Sequence, residues 1–358
     1  MQPRPILPGQ RLLYGLAMAQ GAVFILAWIF FSWPEMGAAW HAHEMIFGQA
    51  LAVVAGYLLA RHASTMLLAV AALWLAARGA AMVQATPEEV RAVLSIAATA
   101  AITLPAAQAF LRGAKRPGNL VFPVLVGGFV LGDALFQLGA LDVWPRGTEA
   151  GVQLALGLVV LLMTAMGGRL LGAAASGAAQ RAGGVRIAPR PMLERAMLAV
   201  IAAGFAAEAF SVPRPLGPVL LAGGGTLLVL RVALWGPGLR RSNGDILALA
   251  AGQVWLGLGL LAWSASAAGL PLAERGALHL ATIGGIGGTL LVMMMRSAAQ
   301  REGRPMPRHT APAVAVLMGA AALARAFASP EWGWPIAAVL WTAATFLAAL
   351  AVFGRTAR

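Results

Sequence analysis

The chain has no cysteine. That absence removes disulfides, thiolate metal sites, iron–sulfur clusters and cysteine nucleophiles together. Any metal must then be held by histidine, methionine, carboxylate or backbone groups. Charge is scarce as well: 11% of the 358 residues are charged, against roughly 25% in soluble domains. Lysine is nearly missing, since 25 of the 26 basic residues are arginine. No phosphate-binding glycine loop, no His-Glu-x-x-His zinc motif and no convincing nucleophile elbow is found. No signal peptide with a cleavage site is evident. The first apolar run, behind Arg4 and Arg11, is long enough to stay as an anchor.

What fills the chain instead is apolar. Hydrophobic residues make up 60%, more than an interior can absorb, so the solvent around the protein is expected to be lipid. The 43 glycines suit helices that approach closely through small residues. A membrane helix needs about 20 apolar residues. Runs of that kind fall at 12–33, 41–60, 65–84, 90–111, 119–140, 150–174, 193–210, 216–235, 246–268, 274–295, 311–328 and 335–353. The expected fold is a single all-α polytopic membrane domain of about twelve transmembrane helices. Its longest interruption, near 175–191, divides six helices from six, with no convincing repeat between the halves.

The net charge of +13 is read as topology rather than nucleic-acid binding. Basic residues crowd alternate junctions, from Arg4 and Arg11 through Arg112, Lys115 and Arg116 to Arg296, Arg301, Arg304, Arg308, Arg355 and Arg358. The opposite junctions carry Glu35, Glu88, Glu89, Asp142, Glu149, Glu208, Glu274 and Glu331. Both termini are therefore expected in the cytoplasm. This places His41, His43 and His279 together in the outer half of the membrane.

Those three are the candidate chemistry, out of five histidines in all. Trp40-His41-Ala42-His43-Glu44-Met45 sits at the mouth of the second span, where unpartnered polar groups would be costly to desolvate. Residues three apart share a helix face, so Glu44 is positioned to orient His41. His41 and His43 point about 200° apart on a regular helix and cannot hold one ion from it. Either the helix starts at His43 or the two serve different sites. The bland alternative is a pair of interfacial histidines bonded to headgroups, water and Glu44.

His279 is followed by Gly284, Gly285, Gly287 and Gly288. That stripe leaves room for a close-packed helix, its commoner use, or for a flat macrocycle. Met293, Met294 and Met295 are consecutive, point different ways and read as core or lipid-facing. The remaining intramembrane polar groups are Asp133, able to pair with an arginine or glutamine or to relay a proton, and Arg231. Arg169 and Arg296 close helices on the cytoplasmic side, as topology markers or anion holders.

Trp40 through Gly48, with Ala55-Gly56-Tyr57-Leu58-Leu59, resembles the NnrS family of polytopic bacterial membrane proteins. A second match is Ala277-Leu278-His279 with Ile283 through Gly287, then Arg296 and Gly303-Arg304-Pro305. Weaker echoes are Gly118-Asn119, Gly167-Gly168-Arg169 and Arg231 with Trp235. The resemblance covers nearly the whole chain. It implies an inner-membrane protein that binds haem and copper and acts in nitric oxide tolerance. His41 or His43, with His279, would supply ligands, and Glu44 would orient one of the imidazoles. Arg169, Arg231 and Arg296 would be structural or bind propionates.

The chain departs from the family at two places. Ala250-Ala251-Gly252-Gln253-Val254-Trp255 stands where members carry a histidine and tyrosine, and Gln300-Arg301-Glu302 precedes Gly303 where they read Gly-His-Thr. Two other classes therefore stay open. One is a twelve-helix transporter coupling protons through Asp133 and His279. The other is a cofactor-free structural or regulatory descendant.

Overall fold

The computed structural model describes residues 8–31, 37–60, 62–113, 117–210, 212 and 215–354. Arg4, Glu35, Lys115, Arg116, Arg355 and Arg358, used above for topology, lie outside the described residues. Among the described residues the chain is helical throughout, with no strand. It is an all-α polytopic membrane protein.

Among the described residues ten helices are long and apolar enough to cross a membrane. Two further helical stretches match the second and seventh expected spans. The second is helical from Ala38 to Leu58 but changes its winding twice on the way. The seventh, Pro191–Ala209, carries Glu194, Arg195 and Glu208, which lower its apolarity. Every span expected from hydropathy is thus a helix.

The surface confirms which solvent the helices are built for. Val124, Leu131, Val219, Val316, Val339 and Phe346 are exposed, while Gln20, Glu44, Arg78, Asp133, Arg231 and Gln253 are buried. This inverts the arrangement of a water-soluble protein and suits lipid outside with polar pairs inside.

The chain divides into two compact units, Met1–Leu162 and Met163–Arg358. The division falls inside a helix, not at the polar stretch near 175–191. That helix, Gly147–Arg181, is 35 residues long and runs through the sixth span and well beyond it.

The first unit contains α1 (Pro8–Phe30), α2 (Ala38–His43), a π-helical segment π1 (Glu44–Ala50), α3 (Leu51–Leu58), α4 (Ser64–Met82), α5 (Glu88–Gly113), α6 (Val121–Ala140) and the start of α7 (Gly147–Arg181). Glu88 and Glu89 open α5, where carboxylates meet the positive end of the helix dipole. The α1 helix packs on π1, α3 and α4, and α5 lies against α3, α4 and α6.

The second unit contains the rest of α7, then α8 (Pro191–Ala209), α9 (Leu216–Leu239), α10 (Gly244–Ala267), α11 (Glu274–His279), a second π-helical segment π2 (Leu280–Gly287), α12 (Gly288–Glu302), α13 (Thr310–Phe327) and α14 (Pro330–Phe353). Pro191 opens α8 at a position where a missing N–H costs nothing. Gly303 closes α12 at φ 64°, the left-handed conformation glycine adopts freely, and the Arg304 N–H returns to the Ala299 carbonyl at 3.0 Å. The Gly-Arg-Pro motif is therefore a helix stop. Met294 and Met295 are core residues, fully buried.

Candidate functional site

The two histidine motifs share a local architecture. His43 is the last residue of a six-residue α-helix, and a π-helical segment begins at the next residue. His279 is likewise the last residue of a six-residue α-helix followed directly by a π-helical segment. In each case a glycine, Gly48 or Gly284, follows five residues later. π-helical turns are rare and concentrate at functional sites. Neither segment shows in the periodicity of the apolar residues.

In the first unit the α2 helix includes His41, so the loop alternative for His41 is settled: the two histidines serve different places. His41 is half-buried, and its ring stacks on Trp28 of α1 with centroids 4.1 Å apart. Trp40 stacks on Phe24 at 5.7 Å. His43 points inward and is buried. Its ring lies between Phe47 and Phe136, at centroid distances of 4.8 and 4.3 Å.

Both nitrogens of His43 face carboxylates. Nδ1 lies 3.2 Å from Glu44 Oε1, and Nε2 lies 3.0 Å from Asp133 Oδ1. With both carboxylates ionised each accepts, and the ring then donates from both nitrogens, as the imidazolium does; the Gln137 amide also lies 3.3 Å from Nε2. The expected Glu44–His41 pairing is replaced by Glu44–His43. An i→i+5 turn holds more residues than an α-turn, so neighbouring side chains diverge by a smaller angle and both reach the interior.

With this pair, the polar network draws on six helical segments, α1, α2, π1, α4, α5 and α6. Arg78 of α4 donates through Nη1 to Glu44 Oε1 and through Nη2 to Ser95 Oγ, at 3.3 Å in the second case. Gln20 of α1 donates to Glu44 Oε2 at 2.9 Å. Gln20 reaches that oxygen across Gly48, where any side chain would collide with its amide. On the other side Asp133 accepts from Ser95 Oγ at 2.9 Å, Thr99 Oγ1 at 2.6 Å and Gln137 Nε2 at 3.0 Å. Trp74 caps the π1 backbone by donating to the Gly48 carbonyl at 3.0 Å. Two buried carboxylates thus meet the Arg78 guanidinium and the His43 ring, and with the ring protonated the cluster is close to neutral, the state a low-dielectric interior favours.

The sequence pointed to Asp133 as a buried group in need of an arginine or glutamine partner, and Gln137 is one of the four side chains it meets. Sequence reasoning missed Arg78, Gln20, Ser95 and Thr99. For Arg78 a signal was present: an arginine inside the apolar run 65–84 is as costly as Asp133 and needs a partner for the same reason.

In the second unit, His279 is half-buried and its Nδ1 donates to the Arg275 carbonyl, one turn back. That bond fixes the tautomer and puts the ring's lone pair on Nε2. The glycine stripe after it is fully used in packing. A methyl at Gly284 would come 2.8 Å from the Trp255 ring, at Gly285 2.9 Å from the Leu256 backbone, and at Gly287 2.5 Å from Trp341. The space is occupied by neighbouring side chains and helices, and the macrocycle reading of these glycines is set aside.

The three singled-out arginines have partners or neighbours of their own. Arg231 is buried and ties four helices: it donates to Thr164 O of α7 at 2.9 Å, to Glu194 Oε2 of α8 at 2.8 Å and to Gln253 Oε1 of α10, and it lies over the Trp235 ring. Gln253 returns a donor to Met163 O at 3.3 Å. Arg296 of α12 pairs with Asp245 of α10. Arg169 of α7 lines a cavity whose wall also includes Arg231. Among the described residues no three His, Asp or Glu side chains converge as a metal site.

A family model described as NnrS protein matches residues 7–356 of the chain. No curated protein and no solved structure matches it.

Proposed function

The chain belongs to the NnrS family, and from that premise we propose that it is a haem-binding protein of the bacterial inner membrane acting in nitric oxide tolerance. The observation that carries this reading is the state of His279. Its Nδ1–H is committed to the Arg275 carbonyl, which orients the ring and leaves the lone pair on Nε2. This is the arrangement found behind imidazoles that ligate metals.

The donor set favours haem over a protein-only copper centre. No group of three His, Asp or Glu side chains among the described residues is arranged to hold a metal ion, and there is no thiol. A porphyrin brings four nitrogens of its own, so one imidazole from the chain suffices. Bound there, haem supplies an iron position that takes a small diatomic such as nitric oxide. His41 is a second candidate ligand. His43 is not in this reading, because both its nitrogens are engaged and ligation would strand a buried carboxylate. Glu44 holds His43 and Arg78 in place. Arg231 and Arg296 are helix ties, each already paired with an acid.

The test is the absorption spectrum of the detergent-purified protein, oxidised and dithionite-reduced, with iron and copper quantified. The expected result is a Soret band that shifts on reduction, with iron above copper, and loss of both band and iron in His279→Ala but not in His62→Ala. A full haem complement in His279→Ala, or a colourless wild-type protein after expression with ample haem, overturns the proposal.

A second reading, proton-coupled transport, is favoured by one observation. The first unit buries His43, Glu44 and Asp133 within a membrane bundle, and intramembrane groups of this kind serve as proton carriers in transporters. It predicts substrate-dependent flux without any cofactor.

A further inference from the structure

A cavity of about 360 Å³ opens in the second unit. Its walls are α7, the segment before α8, the start of α8 and the last turns of α9. Four arginines line it: Arg169, Arg186, Arg190 and Arg231, with Glu194 the one acid and Trp235 the one aromatic.

The electrostatics are one-sided. Glu194 is already spent on Arg231, so the net lining charge is strongly positive. Arg231 is itself buried, and its Nε has no hydrogen-bond partner among the described residues. Arg186 and Arg190 sit on an exposed segment at the mouth. The floor is held open by glycine. A methyl at Gly168 would press on the Glu194 carboxylate at 2.5 Å and on Arg231 Nη1 at 3.1 Å, and at Gly172 it would rest on the Trp235 indole at 3.4 Å. Gly168 and Arg169 of the Gly167-Gly168-Arg169 motif line this cavity, while Gly167 faces the Gln253 amide.

Depth identifies the ligand class. The α7 helix has 35 residues, about 52 Å at the rise of an α-helix, whereas the hydrocarbon layer is about 30 Å thick. Arg169 stands 22 residues after Gly147, the first residue of α7, about 33 Å along the axis. A helix that enters the hydrocarbon near Gly147 brings Arg169 to the headgroup layer of the other face. The indole of Trp235 belongs at the same level. Arginine forks match the paired oxygens of a phosphate, and basic pockets between membrane helices take the headgroups of anionic lipids.

We propose that the Arg169–Arg186–Arg190–Arg231 cavity is a binding site for a phosphate group, carried by an anionic phospholipid or free in solution. The site is independent of the haem reading: it uses neither His41 nor His279.

The test uses full-length protein in detergent. Native mass spectrometry after exchange into micelles doped with phosphatidylglycerol or phosphatidylcholine reads lipid retention. In parallel, thermal unfolding of delipidated protein is followed with inorganic phosphate against chloride at equal ionic strength. The variant is Arg186→Gln/Arg190→Gln, both exposed and outside the Arg231 network. The charge-matched control is Arg112→Gln/Arg240→Gln.

Retention of phosphatidylglycerol over phosphatidylcholine by the wild type and the control, weakened about tenfold or more in the cavity variant, supports the site and names lipid as its source. Stabilisation by inorganic phosphate that the cavity variant loses, without lipid preference, supports it with a soluble source. Equal behaviour of cavity variant and control in both arms overturns it. So does a cavity variant that loses haem while keeping every phosphate response, because the arginines would then serve propionates.

Discussion

His43 and Asp133 are 90 positions apart in the sequence and 3.0 Å apart in the bundle, nitrogen to oxygen. This bond joins α2 to α6 and sits at the centre of the buried network. Asp133 accepts from four different side chains: His43, Ser95, Thr99 and Gln137. An amide in its place keeps the shape but removes the negative charge and turns one acceptor into a donor. Asp133→Asn is therefore expected to destabilise the protein by about 3–5 kcal/mol, the cost of breaking a buried charge pair. Thermal unfolding in detergent measures it, with Asp142→Asn at a helix end as the control expected to change little.

Glu44 and Arg78 allow a sharper experiment. Each is buried and each satisfies the other. Glu44→Gln leaves Arg78 without its carboxylate, and Arg78→Gln leaves Glu44 with only Gln20 and His43. Each single change is expected to cost more than the double change does over the other single. The coupling read from the double-mutant cycle is expected in the upper part of the roughly 0.5–3 kcal/mol range for groups in one network. Additive losses would mean that the two side chains do not depend on one another.

These two networks also show what the sequence could reveal. The helices were legible because lipid imposes a length and a composition on each span, and every expected span is a helix. Asp133 and Arg231 were legible because charge inside an apolar run demands a partner. Arg78 met the same criterion and was overlooked among topology-setting arginines. The π-helical turns after His43 and His279 were not legible at all. A change from i→i+4 to i→i+5 winding leaves no periodic trace over seven or eight residues, yet it redirects Glu44 from His41 to His43. The glycine stripe after His279 was visible, but whether it faced a helix or a ligand depended on Trp255, Leu256 and Trp341, which lie far off in the sequence.

The crossing of α10 with π2 depends on an absent side chain. A methyl at Gly259 would collide with the backbone of Ala281, and backbone inside a packed helix cannot step aside. Gly259→Ala is expected to cost about 1–3 kcal/mol through overpacking. Gly79 in α4 has nothing near its missing methyl, so Gly79→Ala is expected to stabilise by about 0.5–1 kcal/mol through backbone entropy alone. Opposite shifts in melting temperature for two identical substitutions check both statements at once. Shifts of the same sign would contradict the packing of π2 on α10.

Gln253 lies in the stretch where the chain departs from the pattern that the resemblance implies, and its bonds show what glutamine does there. Its Oε1 accepts from Arg231 Nη2, and its Nε2 donates to the Met163 carbonyl. A neutral imidazole offers the same combination, one acceptor nitrogen and one N–H donor. On this view position 253 needs one acceptor and one donor, which either residue provides, and a histidine here is a helix tie rather than a metal ligand. Gln253→His is expected to keep the melting temperature near that of the wild type and to leave metal content unchanged. Gln253→Leu strands a buried guanidinium nitrogen and is expected to cost about 1–3 kcal/mol or more. If Gln253→His instead adds a stoichiometric metal ion, the histidine is a ligand, and the chain has traded a metal centre for the Arg231 tie.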